Sequence, residues 1–348
     1  MGVGDGALIG GLSYAAVGRE NVFKTYNTCT AALPFLSCSI KTSRENAAIE
    51  QIDRARVYSE SHQGMKKVEG DIEFPVCVEA TALVYLLQNA FGGTISSATA
   101  TGDTAGAVSF DHTIDIGLFD QSISSVCMNI RKGDSLGGKI FEYSGGRVNE
   151  FMLQAEMEEV LKGSASLIFV DSTKTSNDVS AALTSSSFEP LSFVNGRVSV
   201  EGSLASLTTS SYWNVQSVEI GLNNSLKSDG ASGRIGSSVL DVLPAGMVGF
   251  TFNITMRFNT TTAYDAMLAN SVFAAEFEFQ GSTLSGSKLR RSLKLTMPKI
   301  KIVEAGDPEI GGPDEVLTSE LTCLVLKDNS SATGYAMRAV VRNAVASY

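Results

Sequence analysis

Few residues in this chain are equipped for chemistry. Two histidines occur, His62 in a polar stretch and His112 in the run Asp111-His112-Thr113-Ile114-Asp115. One imidazole between two carboxylates is part of a metal-ligand set, but a second histidine or a cysteine at ligand spacing is missing. The run reads better as a strand edge or a solvated loop. The cysteines, Cys29, Cys38, Cys77, Cys127 and Cys323, are scattered without a C-x-x-C pair, and the expectation is buried free thiols. No G-x-S-x-G, H-E-x-x-H or phosphate-loop pattern occurs. The glycine pairs in Ser135–Lys139 and in residues 309–315 lack the strand-to-helix setting that a phosphate loop requires. Catalysis would have to rest on carboxylates alone, whose pairing is spatial and not sequential. The reading is therefore a protein that is not an enzyme, with no cofactor and no metal site.

Composition points the same way. The chain has 348 residues, enough for two domains of ordinary size, and only 18% are charged. Gly, Ser, Thr and Ala are abundant, which favours strands and turns over long helices. A net charge of −10 argues against direct binding of nucleic acid, because neutralising phosphate needs clustered Lys and Arg. Such a surface still suits DNA that must slide past without sticking. No apolar run is long enough to cross a bilayer, so no membrane insertion is expected. Residues 1–19 are glycine-rich without a basic segment and read as a flexible arm, not a signal peptide.

The elements that must position these residues show a pattern written twice. Residues 64–91 and 246–273 each read as a glycine turn, an alternating strand and a short helix with an apolar stripe. Gly64 aligns with Gly246, Met65 with Met247, Ile72 with Ile254, Leu86 with Leu268 and Phe91 with Phe273, a constant separation of 182 positions. Identity is five positions of twenty-eight, so the periodicity carries the match. Farther on, Gly133 aligns with Gly281 at a separation of 148, which places an insertion near 94–125 in the first unit. Inserted loops of this kind usually sit at a surface or a partner contact.

Further strands are predicted at 36–42, 107–118, 125–132, 139–143, 147–157 and 163–170 in the first unit. In the second they fall at 192–200, 215–223, 273–280, 289–296, 299–303, 317–326 and 334–343. Residues 43–63, 94–106 and 227–245 read as loops, and polar residues 171–187 as a linker. The fold class is mainly β: two tandem β-sandwich or barrel domains, each with one short α-helix. The predicted boundaries are an arm at 1–19, a first domain at 20–171, a linker at 172–187 and a second domain at 188–348.

The run ALPFLSCSIK (32–41), the polar stretch after it and GMKKVEGDIEFPV leading into a helix resemble the tail tube, or major tail, proteins of long-tailed bacteriophages. Residues 139–171, 292–312 and the terminal GYAMRAVVRNAVASY are similar to other parts of that family, so the resemblance covers nearly the whole chain. It implies a virion protein, made in the bacterial cytoplasm, whose rings stack into a hollow tube that delivers the genome. Sheets of neighbouring subunits join edge to edge in each ring, and other tail proteins cap the tube ends. With two domains per chain, the resemblance favours a trimeric ring with pseudo-six-fold symmetry; a hexamer is the alternative.

On that reading the exposed strand faces are candidates for the lumen: Lys67, Glu69, Asp71 and Glu73 in the first unit, and Thr251, Asn253, Thr255 and Arg257 in the second. DNA would pass without specific binding, since each luminal cation would add friction through ion pairing. Arg44, Glu45, Glu50, Asp53, Arg54 and Arg56 offer both signs of charge for stacking ring on ring. The loop 227–245 is a second stacking candidate. The competing reading is a β-sandwich binding module, an adhesin or a decoration protein that recognises sugar or protein, with Trp213 as its candidate contact.

Overall fold

A computed structural model describes residues 10–49, 57, 60–103, 108–116, 123–133, 139–183, 188–207, 213–306, 316–329 and 334–348. In chain order the first half runs β1 (Tyr14–Arg19), β2 (Ala31–Leu33), β3 (Ser37–Cys38), β4 (Lys41–Ala48), β5 (Ser61–Pro75), α1 (Thr81–Phe91), β6 (Ile95–Thr99), β7 (Phe110–Asp115), β8 (Val126–Lys132), β9 (Lys139–Glu156), β10 (Lys162–Phe169) and β11 (Asp171–Thr175). The second runs β12 (Gly196–Glu201), β13 (Val215–Asn223), β14 (Gly249–Arg257), α2 (Thr262–Leu268), β15 (Phe273–Thr283), β16 (Arg290–Ala305), β17 (Thr318–Val325) and β18 (Arg338–Asn343). The fold is mainly β, and every pairing between these strands is antiparallel.

Strict alternation makes the strands. In β5, Val68, Ile72 and Phe74 are buried while Glu69, Asp71 and Glu73 are exposed. In β17, Ser319, Leu321, Cys323 and Val325 are buried while Glu320, Thr322 and Leu324 are exposed. One face of each of these two strands therefore enters the core and the other stays wet, whereas β1 and β8 are buried on both faces. α1 is buried over nearly its whole length, and Gly92 ends it with φ 68° and an N–H bonded to the Gln88 carbonyl. In α2 no residue is buried.

The order of pairing recurs in the two halves. β1 pairs with β8, β8 with β9, β9 with β10 and β11, and β10 with β5, which also carries β3 and β4. Likewise β12 pairs with β15, β15 with β16, β16 with β17 and β18, and β17 with β14, which carries β13. Register follows: Ile72 lies between Cys38 and Ala165, and Ile254 between Val218 and Leu321. Even the irregularities match, with Asn149 skipped in β9 opposite Ser166/Leu167 and Val303 skipped in β16 opposite Thr322/Cys323.

The halves are joined at two seams. Residues 150–156 of β9 pair on their outer edge with residues 217–223 of β13. This fuses two four-stranded sheets into one of eight, in the order β4-β5-β10-β9-β13-β14-β17-β16. At the second seam β7 pairs with β18. One hydrophobic cluster runs beneath both halves and includes Ile72, Phe74, Phe151, Phe252, Ile254 and Phe277.

Several sequence expectations need correction, first the flexible arm at 1–19, of which residues 14–19 form the buried strand β1, paired with β2 and β8. Residues 43–48 and 61–63 extend β4 and β5 instead of forming a loop. Residues 95–99, read as loop, form β6 on β7, and 171–175, read as the start of a linker, form β11 on β9. β9 and β16 are each one long strand where two were predicted. Gly145, with φ 66°, and Gly146 let β9 bend; a Cβ on Gly146 would stand 2.4 Å from the Phe169 ring. Pro298 sits in β16 where its partners change, so its missing N–H interrupts no ladder.

Candidate functional site

The continuous feature that both halves build is the polar face of the eight-stranded sheet. Cross-strand register sorts its residues into rows. One runs Ser37, Glu73, Ser164, Met152, Gly221, Thr251. Beside it stand Asp71, Ser166, Glu150 and Asn223. A third row runs Lys162, Gln154, Glu219, Asn253, Thr322, Glu304, and a fourth Glu156, Ser217, Thr255, Glu320. In these four rows seven carboxylates stand with one cation, Lys162, which is tied to Glu159 at 2.5 Å.

Neutral donors hold three of the carboxylates on this face. Asn223 Nδ2 donates to Glu150 Oε1 at 2.6 Å across the seam, Ser37 Oγ to Glu73 Oε2 at 2.9 Å, and Gln154 Nε2 to Glu156 Oε1 at 2.6 Å. Two shallow grooves lie along the rows, of about 280 Å³ beside Asp71, Glu150 and Thr251 and about 340 Å³ beside Gln154, Glu219 and Glu320. Within these rows, a wall of acids and hydroxyls whose one cation is tied to Glu159 is poorly suited to hold a polyanion and well suited to let one pass, although Lys41 and Arg257 stand exposed at the rim of the same face.

Of the residues proposed from sequence, Asp71, Glu73, Thr251, Asn253 and Thr255 come together in these rows. Glu69 follows on β5, opposite Lys41, while Lys67 is half-buried in mid-strand, opposite Ser43. Arg257 is exposed at the far end of β14, opposite Thr318. Sequence reasoning missed Glu150, Glu156, Glu219, Glu304 and Glu320. Their signal was present in the alternation of FMLQAE, SVEIG and SELTCL, but assigning strands does not say which strands share a face.

The other candidates are dispersed. Arg44 is exposed on β4 opposite Lys66, and Glu45 lies in the same strand with its side chain outside the description. Glu50, Asp53, Arg54 and Arg56 lie outside the described residues. The loop 227–245 folds back on the first half: Leu240 and Leu243 pack with Ile168 and Val170, and Lys24 Nζ meets Asp241 at 2.9 Å. Trp213 is half-buried beside a cavity of about 440 Å³ that Phe193, Arg197 and Phe279 also line, where Arg197 is tied to Glu276 and Glu278.

The Asp111–Asp115 run belongs to the second seam. Arg342 Nε and Nη2 fork onto Asp111 at 2.6 and 2.9 Å, and Arg338 makes the same fork onto Asp115 at 2.6 and 2.9 Å. These bonds raise both guanidinium pKa values. His112 is buried between Ser97 Oγ (2.8 Å) and Asn343 Oδ1 (3.1 Å), with the Tyr348 ring edge-on at 4.5 Å. Burial lowers its pKa from the usual 6.5. Among the described residues no group of three His, Cys, Asp or Glu is placed to hold a metal ion. Cys29 and Cys127 are buried with their Sγ atoms 3.4 Å apart, as free thiols.

A family model described as phage tail tube protein matches residues 10–323. No curated protein matches the chain.

Proposed function

The chain belongs to the phage tail tube proteins, a structural component of the virion, and from that premise we propose that it forms rings whose stacked bores carry the genome into the host. The observation that carries the proposal is the β9–β13 seam. It joins one half's four-stranded sheet to the other's, and the same two edges remain at the ends of the eight-stranded sheet, β4 at one and the last residues of β16 at the other. By the matching register, Lys41 and Thr42 correspond to Gly221 and Leu222, and Ala305 corresponds to Phe151. Leu222 is buried against Phe151 at the seam, whereas Thr42 is exposed. Pairing Thr42 of one chain with Ala305 of the next repeats the seam, and three chains close the circle with no edge left bare. The chain then has a structural role without catalysis, and its two halves are two tail-tube domains.

The polar face lines the bore in this arrangement. Electron microscopy of the purified chain, concentrated at moderate salt, tests the proposal: rings or hollow tubes of three chains per ring are expected, and single globules at every concentration would overturn it. A cysteine at Asp71 tests the lining. It should resist a maleimide too bulky to enter the bore of assembled tubes yet react in the dissociated chain; equal reaction in both places the face elsewhere.

A further inference from the structure

The two halves differ in how their helices are covered, α1 being largely buried and α2 having no buried residue. Before α1, Val76 N donates to the Leu161 carbonyl at 2.9 Å, and Leu191 then bridges this pair: its N–H reaches the Val76 carbonyl at 2.9 Å and its carbonyl accepts from Leu161 N at 2.8 Å. Leu191 is fully buried, and Val160 pairs with Ser192 beside it. A strand-like segment of the second half thus seals the groove beneath α1.

Among the described residues, none makes the equivalent bridge beneath α2. Phe258 N donates to the Leu317 carbonyl at 2.9 Å, just as Val76 does to Leu161. Next to this pair lies a groove of about 230 Å³ lined by Met256, Phe258, Thr261, Ala263 and Tyr264. At equivalent positions Leu161 is buried and Val160 half-buried, whereas Leu317 is half-buried and Val316 is 70% exposed. Register identifies what is missing. Carried outward from the two matching bulges, it aligns Phe141 with Leu295, Ile130 with Phe277 and Ala15 with Val198. The last pair is 183 positions apart, which makes Leu8 the counterpart of Leu191 and Ile9 that of Ser192. The described chain begins at Gly10 with its first residues exposed, at the head of β1.

We infer that residues 8–10 of one copy lie in the α2 groove of a second copy, with Leu8 bridging Phe258 and Leu317 as Leu191 bridges Val76 and Leu161. The inference rests on the ring reading, since the neighbour that offers its β16 edge to β4 also offers its α2 groove to the N-terminal arm. Because the α1 groove takes its sealing segment from the following half, the α2 groove takes it from the following chain.

The hydrogen bonds around Val160 and Ser192 mark a non-hydrogen-bonded antiparallel pair, the geometry with the shortest Cα separation and one that a disulfide spans. The test is therefore the double variant Ile9→Cys, Val316→Cys in the full chain, oxidised with copper–phenanthroline in air and run on a non-reducing gel beside each single variant. A ladder of covalently joined chains from assembled particles is expected. Leu8→Asp should raise the concentration needed for assembly about tenfold or more, the loss of one buried leucine, and Leu8→Ile should not. If rings form but the cysteine pair stays open and Leu8→Asp assembles normally, the arm inference fails while the ring reading stands. A cross-link confined within single dilute chains would make the occupant the chain's own arm and overturn the second copy. Failure of the unmodified chain to form rings at all would overturn both.

Discussion

Arg342 and Arg338 show how much of this molecule depends on single side chains at a seam. Each forks onto one aspartate of β7 from β18, and each pair is only partly exposed, with 23% and 21% for Arg342 and Asp111. Bidentate charge-assisted bonds of this kind are stronger than surface ion pairs. Arg342→Ala leaves the half-buried Asp111 without its partner and is expected to cost about 2 kcal/mol in urea unfolding. Arg338, at 33% exposure, should cost less. His112 adds a pH dependence. Burial depresses its folded-state pKa, so the unfolded chain binds the proton more readily. The stabilisation is complete above the usual value of about 6.5 and is lost as the pH falls below it. The groups facing His112 are Ser97, Asp111, Asn343 and Tyr348, so the loss should loosen this seam. Calorimetry should show a larger drop in Tm between pH 7.5 and pH 5 for the unmodified chain than for His112→Gln; parallel drops would refute the assignment. The sequence run around His112 looked like a fragment of a metal site because sequence shows neighbours along the chain and not Arg338, Arg342 and Asn343 more than two hundred positions away.

At the scale of elements, the break between β3 and β4 is set by Gly70. A Cβ there would stand 2.6 Å from the Ile40 backbone, and its φ of 154° suits glycine. Gly70→Ala should destabilise the fold by about 1–3 kcal/mol, with amide exchange rising first in residues 37–44. How legible each element was follows from where its backbone finds partners. β14 and β17 alternate because one face meets the core and the other meets water, and their residues were readable almost to the end. β6 and β11, ISSAT and DSTKT, are polar on both faces. They are strands because β7 and β9 offer them hydrogen bonds, which local composition does not record. The inserted segment was visible as a change of separation, but its role was not. It reaches β18 and clasps the second half to the first. The acidic face was legible strand by strand, and its continuity was not, because it depends on β9 meeting β13.

At the scale of the whole molecule the acidic face makes a claim about transport. Replacing Asp71, Glu150, Glu219 and Glu320 by lysine alters exposed or half-exposed positions and should leave folding and assembly intact. Tubes of that variant should retain double-stranded DNA in a filter assay, with retention falling steeply as salt rises, by about 0.9 log units per log unit of salt for each phosphate contact. Unmodified tubes should retain none, and equal behaviour of the two would remove this face from the path of the genome. The β9–β13 seam has a last consequence, for errors. A chain that arrives with two sheet units already fused can add them only in pairs. A circle one unit too small or too large would need half a chain, so the nearest miscounts are forbidden by covalent bonds and not merely disfavoured by strain. In the proposed ring, fusion would thus act as a parity check on closure, enforced at synthesis, that a single-unit subunit would have to achieve by curvature alone.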